Sequence, residues 1–321
     1  MKAAVIQSPG QAPVYTEFTA PDASGDLSLI NVTAAALSRV TRARAAGTHY
    51  SSSGQPFQPF VPGVDGTGRL ADGRRVYFFG APAPYGAMAE QSLAPASRCI
   101  ALPDHLDDVS AAAIAIPGMS SMAALRERAR FVKGETVLVN GATGASGQLA
   151  VRIARFLGAG KIIATGRNAT VLSQLANAGA DVTISLTQDD RAIDEQFEAQ
   201  FRDGVDIVLD YLWGASAQAL LMAAAKALPE AHPMRFVQIG AIGGSDMALP
   251  GAVLRASAVT LMGSGIGSIA MPRLLGAVKD VLGIAHDAGL QIPTRAVPLA
   301  SLGDYWASDD TSARTVFTPS T

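Results

Sequence analysis

Gly141, Gly144 and Gly147 stand three residues apart behind the apolar run Thr136-Val-Leu-Val-Asn140, and Leu149, Ala150, Ile153, Ala154 and Leu157 recur after them at helical spacing. The pattern predicts a buried strand, a glycine turn and a helix opening near Ser146, a geometry suited to a dinucleotide pyrophosphate. Glycines let the main chain turn tightly and approach the phosphates, while the helix start aims unpaired N–H groups and positive dipole at them. The competing reading is a glycine turn that only packs a helix closely on a sheet. The next strand, residues 161–165, runs into Gly166-Arg167-Asn168. That point lies about twenty residues past the turn, where an NAD site places an acid for the ribose hydroxyls. No Asp or Glu is there. A carboxylate would repel a 2'-phosphate, whereas the Arg167 guanidinium can bond it bidentately, so the sequence favours NADPH. Otherwise Arg167 is a solvated residue at a strand end.

Other reactive side chains are sparse. Cys99 is the single cysteine, and His49, His105, His232 and His286 have no paired spacing, so no metal site is expected. None of the six tyrosines has a lysine four residues later, as a short-chain reductase would need for proton transfer. The glycine turn also comes too late in the chain for that fold. A net charge of -2 with no basic run argues against nucleic acid as a partner. With 49% hydrophobic and 16% charged residues the chain reads as compact, and 321 residues suggest about two domains. The apolar stretches 109–125 and 256–272 carry Pro, Gly and Ser and are expected to fall short of a membrane span. The first apolar run is too short for a signal peptide, which makes a cytoplasmic location the expectation.

These residues need elements to hold them. Up to about residue 115 short β runs (3–7, 27–33, 75–79, 87–93) alternate with Pro and Gly, predicting a partly open β-barrel. From Thr136 strands at 182–185, 205–210, 236–240 and 259–262 alternate with helical stretches such as 215–228, which imposes a parallel sheet with right-handed crossovers. A helix near 273–288 and strands near 295–298 and 314–317 then lead back to the first domain. The nucleotide domain is thus expected to be inserted into the other one, with substrate meeting cofactor in the cleft.

Seven motifs carry a family likeness along nearly the whole chain. They are Met1-Lys-Ala-Ala-Val, Ala34-Ala-Ala-Leu-Ser38, Pro62-Gly-Val-Asp-Gly-Thr-Gly68, Tyr85-Gly-Ala-Met-Ala-Glu90, Gly118-Met-Ser-Ser-Met-Ala-Ala-Leu125, Asp206-Ile-Val-Leu-Asp-Tyr-Leu-Trp-Gly214 and Gly240-Ala-Ile-Gly-Gly244. On them the chain resembles the medium-chain dehydrogenase/reductase superfamily in its zinc-free quinone oxidoreductase branch. The resemblance implies an α/β architecture: a Rossmann doubly wound parallel sheet (116–265) inserted into a GroES-like partly open β-barrel catalytic domain (1–115 and 266–321). Ser38 and Val64 stand where resembling zinc enzymes have a Cys and a His. A hydroxyl and a valine cannot hold Zn²⁺.

The implied chemistry is then NADPH-dependent reduction of a quinone or an activated alkene such as an enone or enal, with a proton from a tyrosine or water. Tyr50, and less so Tyr85, are the candidate donors. Ser38 is expected either near the nicotinamide or substrate, or bonded to its own backbone. Gly141, Ala142, Thr143, Gly144, Ala145, Ser146, Gly147, Gly166, Arg167 and Asn168 are expected to hold the adenosine and pyrophosphate. The resemblance adds Ser120, Tyr211, Ile239, Gly240, Ala241, Gly263, Ser264 and Arg314 to the cofactor contacts, and Trp213 is expected either as a wall for the adenosine or nicotinamide half or as packing. Residues 68–75 are shorter than in relatives, so a trimmed barrel edge is expected. Segment 254–268 resembles an edge strand that relatives pair across a twofold axis, giving an expected homodimer. Two other readings stay open: a 2-enoyl thioester reductase with Arg39, Arg42 and Arg44 as a basic rim, and a non-catalytic NADPH sensor.

Overall fold

The computed structural model describes residues 1–49, 57–308, 310 and 312–319. The chain divides into two compact units, residues 1–116, 282–286 and 291–321 in one and 117–281 with 287–290 in the other. The first unit opens with the hairpin β1 (Lys2–Val5) and β2 (Val14–Glu17), then the long β3 (Leu27–Ala36), α1 (Arg39–Ala45), β4 (Asp65–Leu70), β5 (Arg75–Phe79), β6 (Gln91–Pro95) and β7 (Cys99–Ala101). The turn joining β4 to β5 is short, closed by Leu70 N–H to Arg74 O (3.0 Å) and Gly73 N–H to Leu70 O (2.9 Å), with Gly73 at φ +85°. The β6 strand begins later than the expected residue 87. Ala87 and Met88 instead donate to Gly63 O and Pro62 O, which uses their backbone groups outside a ladder.

The helix α2 (Asp108–Ala123) runs on into a π-helical turn, Ala124–Ala129. Together these residues have the length and hydropathy to cross a membrane, against the sequence expectation, yet 72% of the apolar window is buried inside the protein. Burial of that degree is what a core helix requires.

The second unit is built on β8 (Thr136–Asn140), α3 (Ala145–Leu157), β9 (Lys161–Gly166), α4 (Ala169–Asn177), β10 (Val182–Ser185), α5 (Asp190–Arg202), β11 (Ile207–Asp210), α6 (Gly214–Ala227), β12 (Met234–Gln238), α7 (Gly251–Ala256), β13 (Val259–Gly263) and α8 (Met271–Ile284). Its strands pair in parallel in the order β10-β9-β8-β11-β12-β13, the doubly wound order whose reversal lies between β8 and β11. The central strands are covered on both faces, so their apolar runs are continuous rather than alternating: Ile207–Asp210 is buried throughout. Phe197 and Phe201 of α5 and Leu220 and Leu221 of α6 fill one side of this core. The unit continues through residue 281, well past the expected boundary at 265, because α8 packs against α2: a Cβ on Gly118 would lie 2.6 Å from Val281.

The chain ends with β14 (Thr294–Pro298), α9 (Leu302–Trp306) and β15 (Arg314–Thr318), which complete a sheet in the first unit ordered β14-β15-β3-β4-β5-β7, with β6 also on β3. Strand β15 pairs antiparallel with β3 at Val316–Ala36 and Phe317–Ala35.

Candidate nucleotide site

The glycine turn is shaped by contacts that only glycine permits. Gly141 has φ +85°, and a Cβ on Gly147 would lie 2.4 Å from Gly141 O and 2.5 Å from Ala142 Cα. On Gly166 it would meet the Thr143 side chain at 2.3 Å, so the ends of β8 and β9 are drawn close together. Gly144 differs, since its Cβ would find only Gly141 O at 3.7 Å. It caps α3 without a side-chain hydrogen bond, and the helical ladder starts with Gln148 N–H to Gly144 O (2.9 Å). The N–H groups of Ala145, Ser146 and Gly147 therefore point out of the helix start without helical acceptors. An anion fits there, on a helix long enough to carry a dipole. Arg167, one residue beyond β9, is exposed and has no hydrogen bond or ion pair among the described residues. Asn168 caps α4, its Oδ1 accepting from Val171 N–H at 3.1 Å.

A buried polar network underlies this turn. Asn140 Nδ2 donates to Asp210 Oδ1 (2.8 Å), while Asn140 Oδ1 accepts from Thr165 Oγ1 (2.7 Å) and Ser216 Oγ (3.1 Å). Gly141 N–H donates to Thr165 Oγ1 at 3.3 Å. Asp210 also accepts from Leu212 N–H (3.1 Å) and from Trp213 N–H (3.2 and 3.0 Å to its two oxygens). Burial pushes the Asp210 carboxyl above the ordinary carboxylate range, with these hydrogen bonds opposing the shift. Each of Asn140, Thr165 and Asp210 is a polar residue near the end of an otherwise apolar strand, a signal present in the sequence and not read as a site.

Beyond β11 the chain turns sharply. Trp213 has φ +58° and ψ −159°, a conformation close to glycine-only and costing about 1–3 kcal/mol for other residues. Gly214 follows at φ +59°, where a Cβ would lie 2.8 Å from Gly243 O. Ile239 N–H and Gly240 N–H donate to Asp210 O (2.7 and 3.1 Å), which ends β12 at Gln238, short of the expected residue 240. A cavity of about 350 Å³ opens at these strand ends, lined by Trp213, Gln238, Ala241, Ser245, Leu261, Met262 and Gly263. Three of the seven, Trp213, Ala241 and Gly263, are sequence expectations. Ser264 holds the adjoining backbone, its N–H donating to Gln238 O at 2.8 Å.

Other expected residues are placed differently. Ser120 Oγ donates to Pro117 O in its own helix (2.7 Å). Its neighbour Ser121, unnoticed in the sequence, bonds Tyr211 Oη (2.7 Å) and Ser146 O (3.2 Å), tying α2 to the start of α3. Tyr211 thus has its hydroxyl committed inside the protein, and burial raises it to about 12. Ser38 is the N-cap of α1, its Oγ accepting from Thr41 N–H at 2.9 Å and pairing with Thr41 Oγ1 at 2.9 Å. That is the backbone role rather than an open hydroxyl. Tyr85 stacks edge-on against Phe18 with ring centroids 6.2 Å apart. Tyr50 lies outside the described residues. Arg314 is half-buried on β15 with its Nε and one terminal guanidinium nitrogen shielded from solvent, and its charge is turned to Asp65 and Tyr77 of its own unit. None of these three makes a well-formed hydrogen bond through Asp65 Oδ1 or Oδ2, Tyr77 Oη, or Arg314 Nε. Arg42 donates to Ser308 O (3.0 Å) and Tyr305 O (3.4 Å), which removes it from the expected basic rim. Among the described residues no group of three or more His, Cys, Asp or Glu could hold a metal ion.

Residues 145–280 match the zinc-binding dehydrogenase family, a stretch that excludes Ser38 and Val64. Over 96% of both chains the protein is 28% identical to a probable NADPH-dependent quinone reductase of Emericella nidulans. It is 30% identical to 2-methylene-furan-3-one reductase of Solanum lycopersicum over 59% of this chain and 50% of that one. A squalestatin hexaketide synthase of a Phoma species is 31% identical over 56% of this chain, which corresponds to 7% of that far longer protein. Among solved structures, the quinone oxidoreductase from Thermus thermophilus superposes with a TM-score of 0.80 at 24% identity, covering 99% of this chain and 100% of its own. AibC superposes with a TM-score of 0.84 at 20% identity, covering 100% and 96%.

Proposed function

We propose that this chain, a member of the medium-chain dehydrogenase/reductase superfamily of the quinone oxidoreductase type, reduces a quinone or an activated alkene with NADPH and without zinc. The observation that carries this reading is the glycine cradle at α3 with an exposed Arg167 beyond β9 that has no ion pair among the described residues, at a point where the sequence has no acid. NADPH, when bound, supplies the hydride. The N–H groups of Ala145, Ser146 and Gly147 hold the pyrophosphate, Arg167 holds the 2'-phosphate, and the cavity at Trp213 and Gly263 takes the nicotinamide half. Gln238 and Ser245 give that cavity polar contacts, while Leu261 and Met262 keep water from its apolar wall. Ser38 positions α1, and the proton for the reduced acceptor comes from water, Tyr50 or Tyr85.

The protein works as a cytoplasmic homodimer in this reading. Support for the dimer comes from β13, an edge strand whose Leu261 is 37% exposed, and from Leu254 of the preceding α7, 48% exposed. Light scattering at micromolar concentration tests it, a monomer counting against the pairing. A second reading, reduction of a 2-enoyl thioester, draws on the similarity to squalestatin hexaketide synthase and to a mycocerosic acid synthase-like polyketide synthase. Initial rates of NADPH oxidation with naphthoquinones, enals and crotonyl thioesters separate the two. Quinone or enal turnover well above thioester turnover supports the first reading, the reverse order supports the second, and no oxidation with any acceptor refutes both.

A further inference from the structure

Trp213 is half-buried and packs against the core of the second unit. Its backbone sits where glycine alone is at ease, and the next residue, Gly214, also has positive φ. A bulky side chain retained in such a conformation points to a task for the side chain. The turn is held by Asp210, which receives the N–H groups of both Leu212 and Trp213. Asp210 is fixed in turn by Asn140, and Asn140 by Thr165 and Ser216. Through Thr165 the network reaches Gly141, the first residue of the phosphate turn. The indole lines the 350 Å³ cavity at the ends of the second group of strands, β11 to β13, which in a doubly wound sheet is the nicotinamide half of a dinucleotide site.

We propose that Asp210 is a positioning residue for the coenzyme, holding the strained Trp213 turn so that the indole forms the wall against which the nicotinamide half of NADPH rests. The inference depends on the proposed NADPH reading and extends it to residues that touch the coenzyme only at Trp213. Asn140 and Thr165 keep this wall in register with the phosphate cradle, because one hydrogen-bonded chain runs from Gly141 to Trp213. Glycine at 213 would relieve the backbone and remove the wall together, so stability and affinity should move in opposite directions. A tryptophan kept only for packing against the neighbouring core would lose both.

The test combines thermal melts with titrations of NADPH and of 2',5'-ADP, which carries the adenosine half alone, on the wild type, Trp213→Gly, Trp213→Phe, Asp210→Asn and the double variant Asp210→Asn/Trp213→Gly. Trp213→Gly should melt no lower than the wild type yet bind NADPH about tenfold more weakly, the size of a lost aromatic stacking contact. Trp213→Phe should keep most of the affinity. Asp210→Asn should weaken NADPH and leave 2',5'-ADP unchanged, and the double variant should bind no more weakly than Trp213→Gly alone, since both act through one wall. Unchanged NADPH affinity in Trp213→Gly overturns the proposal even if Asp210→Asn fails to fold, as does a lowered melting point with affinity intact. Failure of the wild type to bind either NADPH or 2',5'-ADP would instead overturn the parent reading.

Discussion

In the proposed reading the choice of coenzyme rests on Arg167, whose exposed guanidinium has no ion pair among the described residues. A guanidinium bonding a phosphate gains about 1.5–3 kcal/mol over water, so Arg167→Ala should raise KM for NADPH about tenfold to a hundredfold and leave KM for NADH nearly unchanged. Steady-state kinetics with both coenzymes checks this, and an equal loss for the two would mean that Arg167 does not meet the 2'-phosphate. Ser38 shows how one residue type supports two expectations until its surroundings are known. Its hydroxyl caps α1 and pairs with Thr41, so Ser38→Ala should cost about 1 kcal/mol in chemical denaturation and Ser38→Thr should restore it. Nothing local to Ser38 in the sequence separates a cap from a ligand, because both need the same short hydroxyl. Arg314 is a cofactor contact by resemblance, yet its charge faces Asp65, a residue 249 positions earlier that no sequence period connects to it.

The glycine turn makes a different kind of prediction, since its members do separate jobs. A methyl on Gly147 would run into the backbone of Gly141 and Ala142, where nothing flexible can give way, so Gly147→Ala should displace α3 and lose both stability and NADPH binding. Gly144 has an ordinary φ of −79° and open space, so Gly144→Ala should fold with little change in melting point. Its methyl would nevertheless stand beside the free N–H groups of α3, and NADPH affinity should fall. Melting curves alongside coenzyme titrations resolve the two, and a Gly144→Ala protein with full affinity would place the phosphates elsewhere. These elements were legible beforehand because a parallel strand buried on both faces must be a continuous apolar run, and a helix covering it must repeat every three to four residues. Strand ends were less so: β12 stops at Gln238 and β6 starts at Gln91 because backbone groups of the flanking residues find partners outside the ladder.

At the scale of the whole molecule the buried acid Asp65 sets a pH dependence. Burial lifts its carboxyl to about 7, against the opposing pull of Arg314 and the Tyr77 hydroxyl, whereas in the unfolded chain it titrates near 3.8. A group raised in the folded state favours folding while protonated; this contribution is complete below about pH 4 and is lost as pH rises through 7. Melting temperature should therefore decline over that window, and Asp65→Asn, which keeps the shape and cannot ionise, should flatten the decline. An unchanged slope in Asp65→Asn would assign it to other groups. The sequence by itself determined what is encoded by short-range period and residue type: the alternation of strands and helices, the glycine turn, the absent acid after β9 and the return of the last strand to the first sheet. Tertiary structure alone decided which polar residues share a site. Asn140, Thr165 and Asp210 meet only because parallel strands in the order β9-β8-β11 bring their carboxyl ends side by side, Ser216 joins them from the first turn of α6, and the strained backbone of Trp213 follows from hydrogen bonds to that cluster rather than from any preference of its own.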